Sequence, residues 1–164
     1  MKFLLTAINA KFIHSNPAIY SLRAGVGDKL QPYVELAEFT INESLESILE
    51  GIWKRQPKVI GFSCYIWNWK LIREILTELP KILPDTEIWL GGPEVTYDGP
   101  GLLAEFPQVT GIMVGEGEVT FREVLEQYLR EAETAGRSEQ QPGSDSIKQQ
   151  AADRRVTVAG KSVE

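Results

Sequence analysis

Apolar residues fall along this chain in two alternating rhythms. Residues 3–8 are almost continuously apolar, and so are Val59-Ile60-Gly61-Phe62, Ile88-Trp89-Leu90 and Ile112-Met113-Val114. Short runs without polar alternation predict strands buried on both faces of a parallel sheet. Residues 33–39 carry Glu35 and Glu38 among apolar neighbours, which predicts an edge strand. Between these runs the spacing turns helical. Asn16-Pro17 is a cap followed by proline at the first helical position, and Ile19, Leu22, Val26 and Leu30 form one face. After Asn42 come Leu45, Ile48, Leu49, Ile52 and Trp53. Asn68 is placed to cap a helix with Ile72, Ile75, Leu76 and Leu79 inward, which Pro80 and Pro84 disturb or end. Residues 101–106 allow a short helix stopped by Pro107. Residues 118–131 form a longer one with Phe121, Val124, Leu125 and Tyr128 on one side.

Strand and helix alternate five times, which predicts an α/β fold: a parallel sheet covered on both faces, in three layers. A weak edge strand second in sequence points to the flavodoxin-like (Rossmann-like) arrangement of five parallel strands in the order 2-1-3-4-5. In such sheets ligands sit outside the carboxyl ends of the strands, where the strand order reverses. Any function is therefore expected in the loops 9–16, 63–68, 91–98 and 115–118. The domain is expected to span residues 1–135. Residues 136–155 hold only Ile147, Ala151 and Ala152 as apolar residues, so residues 136–164 are expected to be a polar linker and tail, with a short β-prone patch at Val156-Thr157-Val158.

Composition narrows the function classes. A chain of 164 residues is one ordinary domain, long enough to bury about 70% of its unfolded surface without a staple. One cysteine, Cys64, excludes an internal disulfide and any cluster held by several cysteines of this chain. A formal charge of −6 argues against nucleic acid as a partner, because phosphate backbones call for a basic face. The longest nearly apolar run, residues 59–67, is far short of a membrane span, and the N-terminus lacks the apolar core and cleavage site of a signal peptide. A cytoplasmic setting is expected.

The loops then carry the chemistry. The first, residues 9–16, contains Asn9, Ser15, Asn16 and the single histidine, His14, which can ligate a metal or brace the loop by hydrogen bonding. In the second, Ser63 ends a strand with its hydroxyl placed to meet a ligand, and Cys64 is either a nucleophile or a buried thiol. Tyr65, Trp67 and Trp69 can line a pocket for a large flat ligand or pack in the core. The third loop opens with Gly91-Gly92-Pro93-Glu94. Paired glycines at a strand end suit a close approach to the backbone, or a tight turn. The fourth, Gly115-Glu116-Gly117-Glu118, lacks the third glycine of a dinucleotide fingerprint and the Lys-Ser/Thr of a P-loop. Glu116 can accept hydrogen bonds from a ligand or cap the helix. Asn9 and Ser63-Cys64 stand where a phospho-receiver domain needs aspartates, and Lys11, Phe12 and Ile13 do not make a flavin phosphate loop.

Taken in order, Asn16-Pro17-Ala18-Ile19-Tyr20, Val59-Ile60-Gly61-Phe62-Ser63, Gly91-Gly92-Pro93-Glu94-Val95 and Gly115-Glu116-Gly117-Glu118-Val119-Thr120-Phe121 make residues 1 to about 130 resemble the cobalamin (B12)-binding domain at the N-terminus of radical S-adenosylmethionine (SAM) enzymes. The wider family carries Asp-x-His-x-x-Gly after strand one, Ser-x-Leu after strand three and Gly-Gly after strand four. Here Ser63-Cys64-Tyr65 and Gly91-Gly92 stand at the last two. Aligned on His14, the aspartate place holds Phe12 and the glycine place Pro17.

The resemblance implies that cobalamin lies across the strand ends with its nucleotide tail inserted into the fold. It implies contacts from Asn9, His14, Ser15, Asn16, Ser63, Cys64, Tyr65, Gly91, Gly92, Pro93, Glu94, Gly115, Glu116 and Gly117, with room for the tail at Gly91 and Gly92. His14 is the candidate axial cobalt ligand. The resemblance also implies a partner: a radical SAM domain of the same polypeptide, holding an iron–sulfur cluster and S-adenosylmethionine on a Cys-x3-Cys-x2-Cys motif that this sequence does not contain. The chain is therefore expected to be a binding module, catalytically silent alone, for methyl transfer or other radical chemistry. The alternatives are a flavodoxin-like interaction domain without cofactor, and a small enzyme using His14, Glu94 and Glu116, for which no spacing marks a working pair.

Overall fold

The computed structural model describes residues 1–11, 15–115, 117–138 and 156–159. In chain order they form β1 (Phe3–Asn9), α1 (Pro17–Gly25), β2 (Val34–Thr40), α2 (Leu45–Trp53), β3 (Val59–Ser63), α3 (Trp69–Ile82), β4 (Glu87–Gly91), α4 (Gly99–Glu105), β5 (Val109–Val114), α5 (Gly117–Ser138) and β6 (Val156–Ala159). Single 3-10 turns at Gln31–Tyr33 and Pro93–Val95 lead into β2 and out of β4.

All strand pairs are parallel, and the sheet order is β2-β1-β3-β4-β5-β6. The expected five strands stand in the expected order. The sixth is an addition: the β-prone patch near residue 156 pairs with β5, Gly111 opposite Val156 and Val114 opposite Ala159. Its four residues give too little pattern for periodicity to separate a strand from a tail. Helix α5 also runs past the expected end of the domain, to Ser138. The rest of the expected linker, residues 139–155, lies outside the described residues.

Alternation along the strands builds two cores. Leu4, Ile8, Ile60, Phe62, Ile88, Leu90 and Ile112 face α2, α3 and α4, packing on Ile48, Ile52, Ile72, Ile75, Leu76 and Leu79. Phe3, Leu5, Ala7, Val59, Trp89 and Met113 face α1 and α5, packing on Ile19, Phe121, Val124, Leu125 and Tyr128. The Phe3 and Phe121 rings meet edge to face, with centroids 5.0 Å apart. Helix starts are capped as the residue types dictate. Asn16 Oδ1 accepts from the Ala18 amide, Ser44 Oγ from Ser47 and Asp98 Oδ1 from Gly101.

Two expectations about α3 change. Pro80 lies inside the helix rather than ending it. A proline removes the bond to the carbonyl four residues earlier, here Leu76. The Gln108 side chain, from the turn before β5, donates to that carbonyl at 2.7 Å and replaces the lost partner. Asn68 holds the cap position but makes no side-chain cap bond. Its fully buried amide instead donates to the Ile8 and Ser63 carbonyls, at 3.0 and 2.9 Å, and accepts from the Tyr65 amide.

Candidate functional site

A cleft of about 150 Å3 opens at the carboxyl ends of the strands, between the sheet and helices α1 and α5. Its position follows from side-chain size. On the opposite sheet face the strand ends carry Phe62, Leu90 and Ile112. On this face the last positions are Ala7, Ser63 and Gly91, with Gly61 one layer deeper in β3. Small residues on neighbouring strands leave a slot that the helices do not fill. The wall opposite is made by Ala18, Ile19 and Leu22 of α1 and by Gly117 and Glu118 of α5. Ser21 donates to Glu118 at 2.7 Å and ties the two helices together. That bond, the largest influence, holds the Glu118 carboxyl below its ordinary value, helped by its own backbone amide and opposed by burial.

The paired glycines do different things. Gly92 has φ +107°, and a side chain there would place Cβ 2.5 Å from the Cys64 carbonyl oxygen and 3.0 Å from its amide nitrogen. The space is already taken by the chain itself. Gly91 is the open position: a Cβ there meets nothing nearer than 3.7 Å, at Met113. The expectation that both glycines leave room for a ligand therefore narrows to Gly91, because the β3 loop crosses directly over Gly92.

Cys64 is the buried thiol of the two alternatives, and its side chain is not among the cofactor contacts. Its side chain is fully buried in the core on the far face of the sheet. Burial pushes its thiol far above the ordinary range, so it is not a nucleophile. Its backbone does the local work: the amide donates to the Gly91 carbonyl at 2.7 Å, and the carbonyl accepts from the Glu94 amide at 3.3 Å. Pro93 and Glu94 lie exposed on the turn thus held.

Ser63, Tyr65, Gly91, Gly92, Gly115 and Gly117 come together around the cleft, as the sequence led one to expect. Asn16 reaches the same place, its Nδ2 donating to Ser63 Oγ at 3.3 Å. Asn9 and Ser15 stand to one side. Asn9 Nδ2 donates to Glu38, and Ser15 is exposed. His14 and Glu116 lie outside the described residues. Trp69 packs edge-on against Phe106, whereas Tyr65 and Trp67 stack at 4.4 Å with planes 9° apart. In the two strand-end loops that follow β3 and β4, Ile66 and Tyr97 are 81% and 93% exposed.

Several residues of the site escaped the sequence reading. Leu5 and Trp89 line the inner cleft, although as strand residues they carried only a packing signal; Gly61, a glycine inside an apolar strand, was the one visible hint. Glu38 served in the sequence only as a mark of the edge strand. It collects three donors: Asn9 Nδ2 and the Asn16 amide on one oxygen, each at 3.0 Å, and the Tyr20 hydroxyl on the other at 2.7 Å. Burial, the largest single influence, opposes its charge, yet the three donors together outweigh it and hold the carboxyl below its ordinary value. Glu38 thus clasps both ends of the β1–α1 loop.

Among the described residues no group of three or more His, Cys, Asp or Glu is arranged to hold a metal ion, and no helix is long and apolar enough to cross a membrane.

Comparison with known proteins agrees with this geometry. The chain is 38% identical over 71 residues to the cobalamin-dependent radical SAM methyltransferase TokK of Streptomyces tokunonensis, covering 43% of this chain and 10% of that protein. It is 36% identical over 88 residues to a 2-(S-pantetheinyl)-carbapenam-3-carboxylate methyltransferase of Streptantibioticus cattleyicolor, covering 53% and 12%. The chain thus matches about a tenth of the length of these relatives. In fold it is similar to the cobalamin-dependent S-adenosylmethionine radical enzyme OxsB, with TM-score 0.57, 18% identity, and 78% of this chain and 19% of that one covered. It is also similar to a cobalamin-binding protein from Desulfitobacterium hafniense, with TM-score 0.52, 11% identity, and 79% and 58% covered. Residues 4–125 match the family model of the B12 binding domain. By that match, over the residues that build the sheet, its helices and the cleft, the chain belongs to the B12 binding domain family.

Proposed function

We propose that this chain binds cobalamin and serves as the cobalamin module of a radical SAM methyltransferase. The observation that carries the reading is the narrow glycine-lined cleft between sheet and helices at the strand ends. An elongated, mostly uncharged group fits there. Ser63 Oγ, which among the described residues donates to no protein atom, can give its proton to the cofactor's nucleotide tail. Space for the tail is open above Gly91. The flat Tyr65–Trp67 pair and exposed Ile66 and Tyr97 offer apolar surface to the corrin and to a further domain. Cobalamin, when bound, supplies a cobalt centre that can carry a methyl group. Iron–sulfur and S-adenosylmethionine chemistry would belong to a partner domain of the same polypeptide, outside these residues.

The purified chain is expected to retain hydroxocobalamin through gel filtration and to shift its visible spectrum. Loss of the cofactor under both oxidised and reduced conditions would leave the second reading, a flavodoxin-like interaction domain, which the exposed Ile66 and Tyr97 favour. Phe12 stands where the family places the carboxylate that orients the ligand histidine, and an unoriented imidazole is a poor ligand. The Co(II) form is accordingly expected to lack an axial-nitrogen triplet in its paramagnetic resonance spectrum. A triplet that vanishes in His14→Ala would assign His14 as the ligand.

A further inference from the structure

The cleft has two chemically distinct halves. At the mouth stand polar groups, Ser63 at the end of β3 and half-buried Tyr65, while exposed Glu118 lies along α1 beside Gly25 with its carboxylate accepting from Ser21. Two residues deeper along each strand, about 6–7 Å further in, the lining becomes Leu5, Gly61 and Trp89, faced by Ile19 and Leu22 of α1. Leu5, Ile19 and Trp89 are buried. The inner half offers no free polar partner among the described residues. The one polar side-chain atom there, the Trp89 indole nitrogen, already donates to the Tyr128 hydroxyl at 2.9 Å, and that hydroxyl donates on to Glu87. The backbone is equally committed, because β3 and β4 each pair with strands on both sides.

We propose that the inner half of this cleft selects cobamides by their lower base, favouring a hydrophobic benzimidazole over adenine. This rests on the reading that the cofactor tail enters the cleft. Both bases present an imidazole-ring nitrogen, which the Ser63 hydroxyl can meet equally at the mouth. They differ at the far ring. Dimethylbenzimidazole carries two methyl groups there, which suit Leu5, Ile19, Leu22 and Trp89. Adenine carries ring nitrogens and an exocyclic amine, which would leave water and find no partner. A buried polar group without a hydrogen bond is penalised steeply, whereas a methyl group in the same place gains from burial.

The test titrates the chain with three hydroxo-cobamides, following Trp fluorescence and co-elution on gel filtration: cobalamin, adeninylcobamide and tail-less cobinamide. Cobalamin is expected to bind at least tenfold tighter than adeninylcobamide, with cobinamide weakest. Cobalamin and adeninylcobamide binding within twofold of each other would overturn the proposal. Equal binding of all three would remove tail insertion too, while cobalamin binding itself stood; no binding of any would remove the proposed function and the selectivity with it. A second arm uses Leu22→Gln, on a half-buried helical position beside Gly117, with circular dichroism to confirm the fold. By giving the inner cleft a donor and an acceptor, it is expected to shrink the cobalamin preference severalfold. An unchanged preference in a folded variant would place the selectivity elsewhere and overturn the assignment to this cleft.

Discussion

Gly91 and Gly92 are adjacent and chemically identical, yet their surroundings separate a binding position from a folding position. At Gly92 a side chain meets backbone that cannot swing away, and φ is positive. Gly92→Ala is expected to cost about 2–4 kcal/mol of stability in a urea titration. Gly91→Val is expected to leave the urea midpoint nearly unchanged and to weaken cobalamin retention, since its Cβ enters open cleft. Glu38 is the second residue whose surroundings set its role. Its folded pKa lies below the ordinary 4.5, so its contribution is present at neutral pH and is lost as pH falls from about 4.5 through the depressed folded value. The stability gap between the parent and Glu38→Gln is therefore expected to narrow between about pH 7 and about pH 3. A gap independent of pH would show that the Asn9, Asn16 and Tyr20 bonds do not depend on the charge.

At the scale of elements, α3 shows how a sequence signal is overridden from outside the element. Pro80 breaks the hydrogen-bond ladder inside the last turn, and the break is tolerated because Gln108 supplies the Leu76 carbonyl with a donor. Gln108→Ala is expected to cost about 1 kcal/mol in the parent. In a Pro80→Ala background the Leu76 carbonyl regains its helical partner, so the same substitution is expected to be nearly neutral. Equal effects in the two backgrounds would separate Gln108 from the proline. The 3-10 turn after β4 is likewise held from elsewhere, through the Cys64 carbonyl. The loop that bears Gly92 and the loop that bears Ser63 therefore behave as one unit.

For the molecule as a whole, the two cores and the cleft draw, among the described residues, on positions 3–129. From their polar composition residues 136–155, the first three of which fall in α5, are expected to behave as a linker, with tryptic sites at Arg137, Lys148, Arg154 and Arg155. Limited trypsin digestion is expected to cut there first and to leave a large fragment that still binds hydroxocobalamin. Loss of binding on that first cut would show that the segment carrying β6 is required for the site.

Much of this fold is written locally. Unbroken apolar runs marked the buried strands, the charged run of β2 marked the edge, and Asn16-Pro17 marked the start of α1, because periodicity and capping are properties of neighbouring residues. The order of elements then implied the sheet order and put the site at the strand ends. Ser63, Tyr65, Gly91, Gly115 and Gly117 were legible as site residues for that reason. What sequence alone could not decide was orientation across distance. Whether Gly91 or Gly92 faces open space, whether the Asn68 amide caps its helix or joins β1 to β3, and whether Cys64 faces the site or the core each depend on a strand or loop many positions away. The inner cleft is of the same kind. Leu5, Gly61 and Trp89 are core residues by pattern, and they became lining only when parallel pairing put small side chains at Ser63 and Gly91 beside them, opposite α1.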